Sequence, residues 1–321
     1  MPSEEVDRRL RPEPSDYGFD LDLATASVVG LQAQVPPDAF TAETLGVIRV
    51  GSGALIRKDG LVLTVGYLVT EAESVTLTTV DGREVQGHPL GFDPVSGFGF
   101  VQALTELGQP VLPLGDSRRL KVGDRVVMAG PGGRRNAVAA QLVAREAFAG
   151  YWEYLLDTAL FTAPPHPFWS GAALIGERGD LVGLGSLQVQ QSTKDGQIAS
   201  FNLSVPSELL PDDLDAFIGS LRTRPARPWL GLFAQEADGA AAVMGVAPGG
   251  PAERAGLRAG DVIRAVSGAP VSGLADFYER LWALGEAGVE VPLGLEREGD
   301  AFNVSIRSGD RRRFLKGPRL N

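Results

Sequence analysis

The sequence reads as a mainly β protein, a β barrel or sandwich followed by a smaller unit of mixed strands and helix. Three observations lead there. Its 321 residues exceed the roughly 100 to 200 of a usual single domain, so two cores are expected. Up to residue 206, short apolar runs follow one another with DG and GG turns between them and little helical periodicity. At residues 222–228, "RTRPARP" joins proline to charge with no apolar anchor, the composition of a linker.

In chain order, residues 1–24 are acidic and proline-bearing without periodicity, which predicts a flexible N-terminal arm. Residues 25–221 form the first domain, with strands expected in "SVVGLQAQV", "GVIRVGSGALI", "LVLTV", "SVTLTTV", "REVQGHPL", "GFGFVQAL", "DRVVMAG", "AVAAQLVAR", "AALIGERGDLVGLGSL" and "IASFNLSV". The pattern changes at "SELLPDDLDAFIGSL", where Leu209, Leu210, Leu214, Phe217, Ile218 and Leu221 recur near helical spacing and predict a closing helix over 207–221. Residues 229–309 form the second domain. It holds "WLGLFA", a Gly/Pro-rich middle, the strand "DVIRAVSG", the helix "LADFYERLWAL" and a strand pair in "VEVPLGLEREGDAFNVSIR". Leu274, Phe277, Tyr278, Leu281 and Leu284 line one face of that helix, and residues 310–321 read as a basic tail.

The formal net charge of -10 opposes phosphate binding, so nucleic acid is not an expected partner. Cysteine is absent, which excludes disulfides and thiolate metal sites, and only His88 and His166 offer imidazoles. No cofactor and no metal are expected. No window approaches the roughly 18 apolar residues of a spanning helix, and "MPSEEVDRRLRPEPSDYG" is charged where a signal peptide is apolar. As written the chain reads as cytoplasmic, without membrane insertion; a cloned mature form of a periplasmic protein would read the same way.

Four blocks in order carry a resemblance. They are "GSGALIRKDGLVLT", "VTLTTVDGREVQGHPLGFDP", "LPLGDSRRLKVGDRVVMAGPGG" and "PGGPAERAGLRAGDVI". Together the chain resembles the HtrA/DegP family over roughly residues 25 to 307. The likeness implies a chymotrypsin-like double β-barrel followed by a small α+β PDZ domain. It also implies a catalytic triad, and the triad positions are altered. The family's Thr-x-x-His pattern falls on "TVGYLV", which puts Tyr67 at the histidine. The pattern beginning Asp-Pro falls on "DPVSGFGFV", which puts Gly97 at the aspartate. The nucleophile motif falls on "PFWSGAA", which keeps Ser170 with changed flanks.

A serine hydroxyl attacks only when an adjacent base takes its proton, and that base needs an acidic residue to hold its tautomer. A phenol with a reference pKa near 10 is protonated at neutral pH and cannot be that base. Loss of triad members costs up to about a millionfold in turnover. The oxyanion loop is altered too: the family's glycine two residues before the serine corresponds to Phe168, and Trp169 follows it. The aromatics of this loop are expected to fill the former substrate cleft.

His166, four residues before Ser170, could substitute as base, but no orienting carboxylate is visible and a surface-loop histidine between prolines is the favoured reading. His88 maps to a barrel strand with a partly exposed structural role. Tyr67 and Trp169 are expected to pack on each other or on a partner, and Asp116 and Asp124 to serve turns. In the second domain "WLGL", Trp229 to Leu232, matches the family's carboxylate-capturing loop. A peptide would add as a strand along Leu232, Phe233 and Ala234, opposite a wall of Phe277, Tyr278 and Leu281. A groove covered by the neighbouring domain is the competing reading.

The expectation is a catalytically inactive HtrA-like protein that binds protein or peptide C-termini through its PDZ groove. A homo-oligomer, a trimer by resemblance, is also implied. A weak serine endopeptidase using Ser170 and chaperone-like binding of unfolded chains are the alternatives.

Overall fold

The computed structural model describes residues 5–192 and 196–317. The chain forms two compact units. One takes in the described residues up to 146 and those of 158–222; the other joins residues 147–157 to 223–316.

The first unit opens with short helical turns and the helix α1 (Leu21–Thr25), whose Asp20 cap accepts from the Leu23 amide at 2.9 Å. The stretch expected as a flexible arm is therefore ordered in its described part. Val6 is 2% exposed and joins a core with Leu120, Val126, Met128 and Leu160. Arg11 donates to the Val6 carbonyl at 2.8 Å, and Asp7 caps the first turn. Capping residues and two apolar anchors, Val6 and Leu21, outweigh the local excess of charge.

A first closed barrel follows, from β1 (Val28–Gln34), β2 (Ile48–Leu55), β3 (Leu61–Val65), β4 (Ser74–Thr78), β5 (Glu84–Phe92) and β6 (Phe98–Ala103), in the order β1-β2-β3-β6-β5-β4. Between its strands lie the short helices α2 (Ala42–Leu45) and α3 (Gly66–Val69). β4 alternates buried and half-buried residues, the period-2 signature of a sheet with one packed face. Leu31, Leu61, Leu63, Leu77, Phe98 and Phe100 are fully buried, each worth about 1.5–3 kcal/mol of transfer out of water.

A second closed barrel is built from β7 (Arg125–Ala129), β8 (Ala137–Gly150), β9 (Tyr154–Ala163), β10 (Ala173–Ile175), β11 (Leu181–Ser192) and β12 (Ile198–Pro206). The helix expected over 207–221 is broken: a 3-10 turn covers Ser207–Leu209, and α4 (Leu214–Ser220) starts afresh after Asp213. Pro211 has no amide to donate, and Asp213 accepts from the Ala216 amide at 3.0 Å, so the sequence stops one helix and caps another.

The second unit is a sheet of β13 (Leu232–Ala237), β14 (Ala240–Val246), β15 (Val262–Val266), β17 (Glu290–Arg297) and β18 (Asp300–Arg307) in that order, with β16 (Ala269–Pro270) on β15. Its helices are α5 (Pro251–Arg254) and α6 (Leu274–Ala283). Leu274, Phe277, Tyr278 and Leu281 of α6 are buried in its core with Leu230, Leu232, Ile263 and Leu293. Asp261, fully buried, receives two bonds from Arg297 at 2.6 and 2.8 Å and ties the start of β15 to β17. The first residues of the expected tail are ordered: Phe314 packs on Trp229 with centroids 4.7 Å apart. The last tail residues, 318–321, lie outside the described residues.

Candidate functional site

Two places in the fold bring together residues with recognisable chemistry, one in each unit. In the first, β3 delivers the chain to α3, and the Tyr67 hydroxyl ends 2.8 Å from Ser170 Oγ and 3.0 Å from the Ser186 carbonyl oxygen. A phenol has one proton. If it goes to the carbonyl, which can only accept, Ser170 donates to the phenol; if it goes to Ser170, the serine's own lone pair is engaged. In neither arrangement is the serine proton removed. Burial raises the phenol further above its ordinary value, and the bond to Ser170 only partly offsets this.

The backbone around Ser170 is tightly held. Its carbonyl accepts from the Ser52 amide at 2.8 Å, and the Gly171 amide donates to the Gly185 carbonyl at 2.8 Å. Gly171 has φ +73, and a Cβ there would run into the Ser52 carbonyl, so only glycine fits after the serine. Arg49, 4% exposed, holds Tyr67 from behind: Nη1 donates to the Tyr67 and Thr70 carbonyls, both at 2.7 Å, and Nη2 to Thr41 Oγ1 at 2.7 Å. The buried Glu71 accepts from the Thr41 amide at 2.7 Å and its hydroxyl at 2.6 Å. Burial lowers the Arg49 pKa, and the Glu71 charge opposes that.

Gly97 lies at φ +82 in a turn where its amide donates to the Asp93 carbonyl at 2.8 Å and its carbonyl accepts from Gly66 at 2.7 Å. The Asp93 carboxylate is committed inside that turn, accepting from the Ser96 amide at 2.8 Å and hydroxyl at 2.7 Å.

His166 corrects the surface-loop expectation: it is fully buried. Nε2 faces the Asn136 carbonyl at 2.9 Å and must donate to it, so Nδ1 is the acceptor for the Phe168 amide, also at 2.9 Å. The His166 amide donates to Asn202 Oδ1 at 2.7 Å. Both ring nitrogens are consumed, and burial holds the imidazole below its usual pKa, so it is a neutral strut. Its consequence falls on Phe168, whose amide would correspond by resemblance to an oxyanion donor and here points at an imidazole. Phe168 and Trp169 are half-buried. His88 sits half-buried on β5; Asp116 caps the 3-10 turn Ser117–Arg119, and Asp124 accepts from the Lys121 amide at 2.7 Å. Among the described residues no group of three or more His, Cys, Asp or Glu stands together as a metal would require.

In the second unit, the amides of Leu230, Gly231 and Leu232 converge on one carboxylate, that of Glu153. Gly231 and Leu232 donate to Oε1 at 2.7 and 2.8 Å, and Leu230 donates to Oε2 at 3.0 Å. Glu153 lies in the turn between β8 and β9. Burial pushes its carboxyl up to about 7 against the pull of the three amides. Phe233 lies beside Tyr151 with centroids 6.2 Å apart, while Phe277, Tyr278 and Leu281 are core residues with no exposed surface. The Tyr278 hydroxyl nevertheless reaches the turn, donating to the Gly150 carbonyl at 2.9 Å and accepting from the Glu153 amide at 3.2 Å. Glu153 was not a candidate from sequence. The available signal was a lone acid flanked by aromatics in "AGYWEYLL".

The family description "Trypsin-like peptidase domain" matches residues 51–184, and "PDZ domain" matches residues 228–307. A probable periplasmic serine endoprotease, DegP-like, from Pseudomonas fulva is 29% identical over 273 residues, which cover 81% of this chain and 56% of that protein. The chain thus spans little more than half the length of that relative. Among solved structures, the HtrA-type protease AlgW with decapeptide aligns at TM-score 0.55 and 19% identity, covering 94% of this chain and all of the other. The serine endoprotease from Yersinia pestis aligns at TM-score 0.53 and 21% identity, covering 91% and 98%. At these identities the structural likeness speaks to the fold. No helix among the described residues is long and apolar enough to cross a membrane.

Proposed function

We propose, from the premise that this chain is an HtrA-like serine-protease homologue with a trypsin-like domain followed by a PDZ domain, that its barrel does not carry out proteolysis and that it works by binding peptides or proteins. The observation that carries this reading is the Tyr67 hydroxyl at 2.8 Å from Ser170 Oγ, in the place a general base would need. General-base activation requires an acceptor that ends with the serine proton. A buried, protonated phenol cannot take it, and Gly97 supplies no carboxylate to orient any replacement. The Phe168 amide, bonded to His166, is withdrawn from charge stabilisation, a loss worth about 10²–10³ in turnover where one such donor has been removed.

The PDZ domain supports the binding half of the proposal. Three convergent backbone amides at Leu230, Gly231 and Leu232 form a carboxylate receptor independent of side-chain identity, here bonded to Glu153, and β13 beside it ends the sheet. The similar AlgW structure was solved with a decapeptide, which fits the same use. The likeness to periplasmic relatives favours a periplasmic setting, and likeness to the family favours a homo-oligomer.

The test is incubation of purified protein with unfolded casein, with Ser170→Ala in parallel. No cleavage above the variant is expected. Cleavage lost on Ser170→Ala, or labelling of Ser170 by a fluorophosphonate, would overturn the proposal and establish a serine hydrolase instead.

A further inference from the structure

The carboxylate receptor of the second unit is already filled, and by this chain. We propose that Glu153 occupies the PDZ carboxylate loop in cis, so that the turn Gly150 to Glu153 is the domain's resident ligand and a partner peptide binds only by displacing it. This rests on reading the domain as a peptide binder and adds what holds the groove beforehand.

Four features carry it. The first is stoichiometry: three consecutive amides, at Leu230, Gly231 and Leu232, all donate to one side chain. Three amides in series are arranged for an anion, and Glu153 presents two acceptor oxygens to them, as a peptide's terminal carboxylate would. The second is register. The Tyr151 carbonyl accepts from the Ala234 amide at 2.8 Å, while Glu153, two residues on, meets Leu232, two residues back. One of these contacts is a backbone pair and the other is made by the Glu153 side chain; both fit a segment running antiparallel to β13, the direction an added peptide strand takes.

The third is anchoring. Tyr278 projects from α6 and closes the turn with two hydrogen bonds, one to each end of Gly150–Glu153. Tyr151 stands near Phe233, Trp152 stacks on Tyr154 at 5.5 Å, and Leu155 lies in the same core as Leu230 and Leu232. The fourth is backbone conformation. Glu153 adopts φ +58, in the left-handed region where glycine would be unstrained. A glutamate in that region carries a backbone cost that glycine would not, and its side chain is the one in the receptor. The carboxyl's upward shift to about 7 agrees with a group enclosed rather than solvated.

The chemistry of a competitor follows. It must bring a carboxylate of its own on an extended end, with a backbone carbonyl two residues upstream for the Ala234 amide. A peptide with a free C-terminus has both.

The test uses the full chain and reads amide hydrogen exchange at Leu230, Gly231 and Leu232. Glu153→Gly relaxes the turn while removing the carboxylate; Glu153→Gln keeps the side chain's size. Both are expected to speed exchange at the three amides, by about ten- to a hundredfold for Glu153→Gly and less for Glu153→Gln, with the amides of β15 and β17 unchanged. Unchanged exchange in Glu153→Gly would overturn the proposal, since a mere turn residue is improved by glycine. The probe for displacement is a labelled heptapeptide reproducing residues 147–153 with a free terminal carboxylate. It is expected to bind Glu153→Gly at least about tenfold more tightly than the unaltered chain, and equal affinity for both would also overturn the proposal. Opened amides with no peptide bound by either protein would support the resident carboxylate and count against the peptide-binding reading beneath it.

Discussion

The hydroxyl of Tyr67 and the Oγ of Ser170, 103 residues apart in sequence, meet at 2.8 Å. The phenol cannot act as base there, so pH alone should not awaken the serine. Fluorophosphonate labelling and casein hydrolysis are expected to stay at background from pH 6 to pH 10. Tyr67→His is expected to do no better, because Gly97 gives the new imidazole no partner and the Phe168 amide remains bonded to His166. Measurable, Ser170-dependent turnover in Tyr67→His would show that the surrounding loop is still competent.

Arg49 and Glu71 are a buried charge set with Thr41 between them. Removing one charge strands the other. Arg49→Met is expected to destabilise the barrel by about 3–5 kcal/mol in urea unfolding, and the double variant with Glu71→Gln to recover part of that loss. Additive losses in the double variant would mean the two side chains act independently.

His166 should give the protein an acid-sensitive component of stability. Burial keeps the folded imidazole below the ordinary 6.5, so the unfolded chain takes up a proton that the folded one refuses. The contribution is complete above about 6.5 and is lost as pH falls below it, at up to about 1.4 kcal/mol per pH unit. Urea midpoints at pH 7 and pH 5 measure it. His166→Asn is expected to be less stable at pH 7 but to lose less between the two conditions.

Glu153 titrates in the opposite sense. Its seated carboxyl is raised to about 7 from 4.5, with Tyr278 and Arg311 the titratable or charged groups acting on it. Seating therefore binds a proton: it is strongest below about 4.5, weakens as pH rises toward 7, and changes little above. The whole span amounts to on the order of 3 kcal/mol. Exchange at Leu230 to Leu232, corrected for its intrinsic pH dependence, should accelerate across that window and not in Glu153→Gln. A flat corrected profile would contradict it.

Tyr278→Phe removes the hydroxyl that ties Gly150 to Glu153 and leaves the ring in the core. It is expected to lower global stability by about 1–2 kcal/mol and to raise exchange at the carboxylate loop. A variant that loses stability with no change in loop exchange would confine the hydroxyl to a structural role.

Much of the architecture was legible because it is written in periodicity. The apolar runs from "SVVGLQAQV" to "IASFNLSV" mark the barrel strands, and the spacing of Leu274, Phe277, Tyr278 and Leu281 marks the buried face of α6. What escaped was written in contacts across sequence. Val6 looks like one apolar residue in a charged stretch until Leu120 and Val126 enclose it. His166 sits between prolines, where exposure is the ordinary expectation, and only the Asn136 carbonyl and the Phe168 amide reveal it as buried. Glu153 is a lone acid in a hairpin, and its receptor lies 77 to 79 residues further on. The helix over 207–221 was overextended because periodic leucines outweighed Pro211, which the folded chain does not ignore.

Gly97 ties backbone conformation to the chemistry that position could support. Its backbone is left-handed, a conformation costing an ordinary side chain about 1–2 kcal/mol, and its neighbours Asp93 and Ser96 are bonded into the same turn. An aspartate placed there would enter a backbone that few side chains adopt and would find no imidazole to orient, since the Tyr67 hydroxyl is the group beside Ser170. A histidine placed at 67 alone would find no acid at Gly97. Positions 67 and 97 are therefore coupled: neither single substitution is expected to gain activity, and only a change at both would bring an imidazole and a carboxylate together.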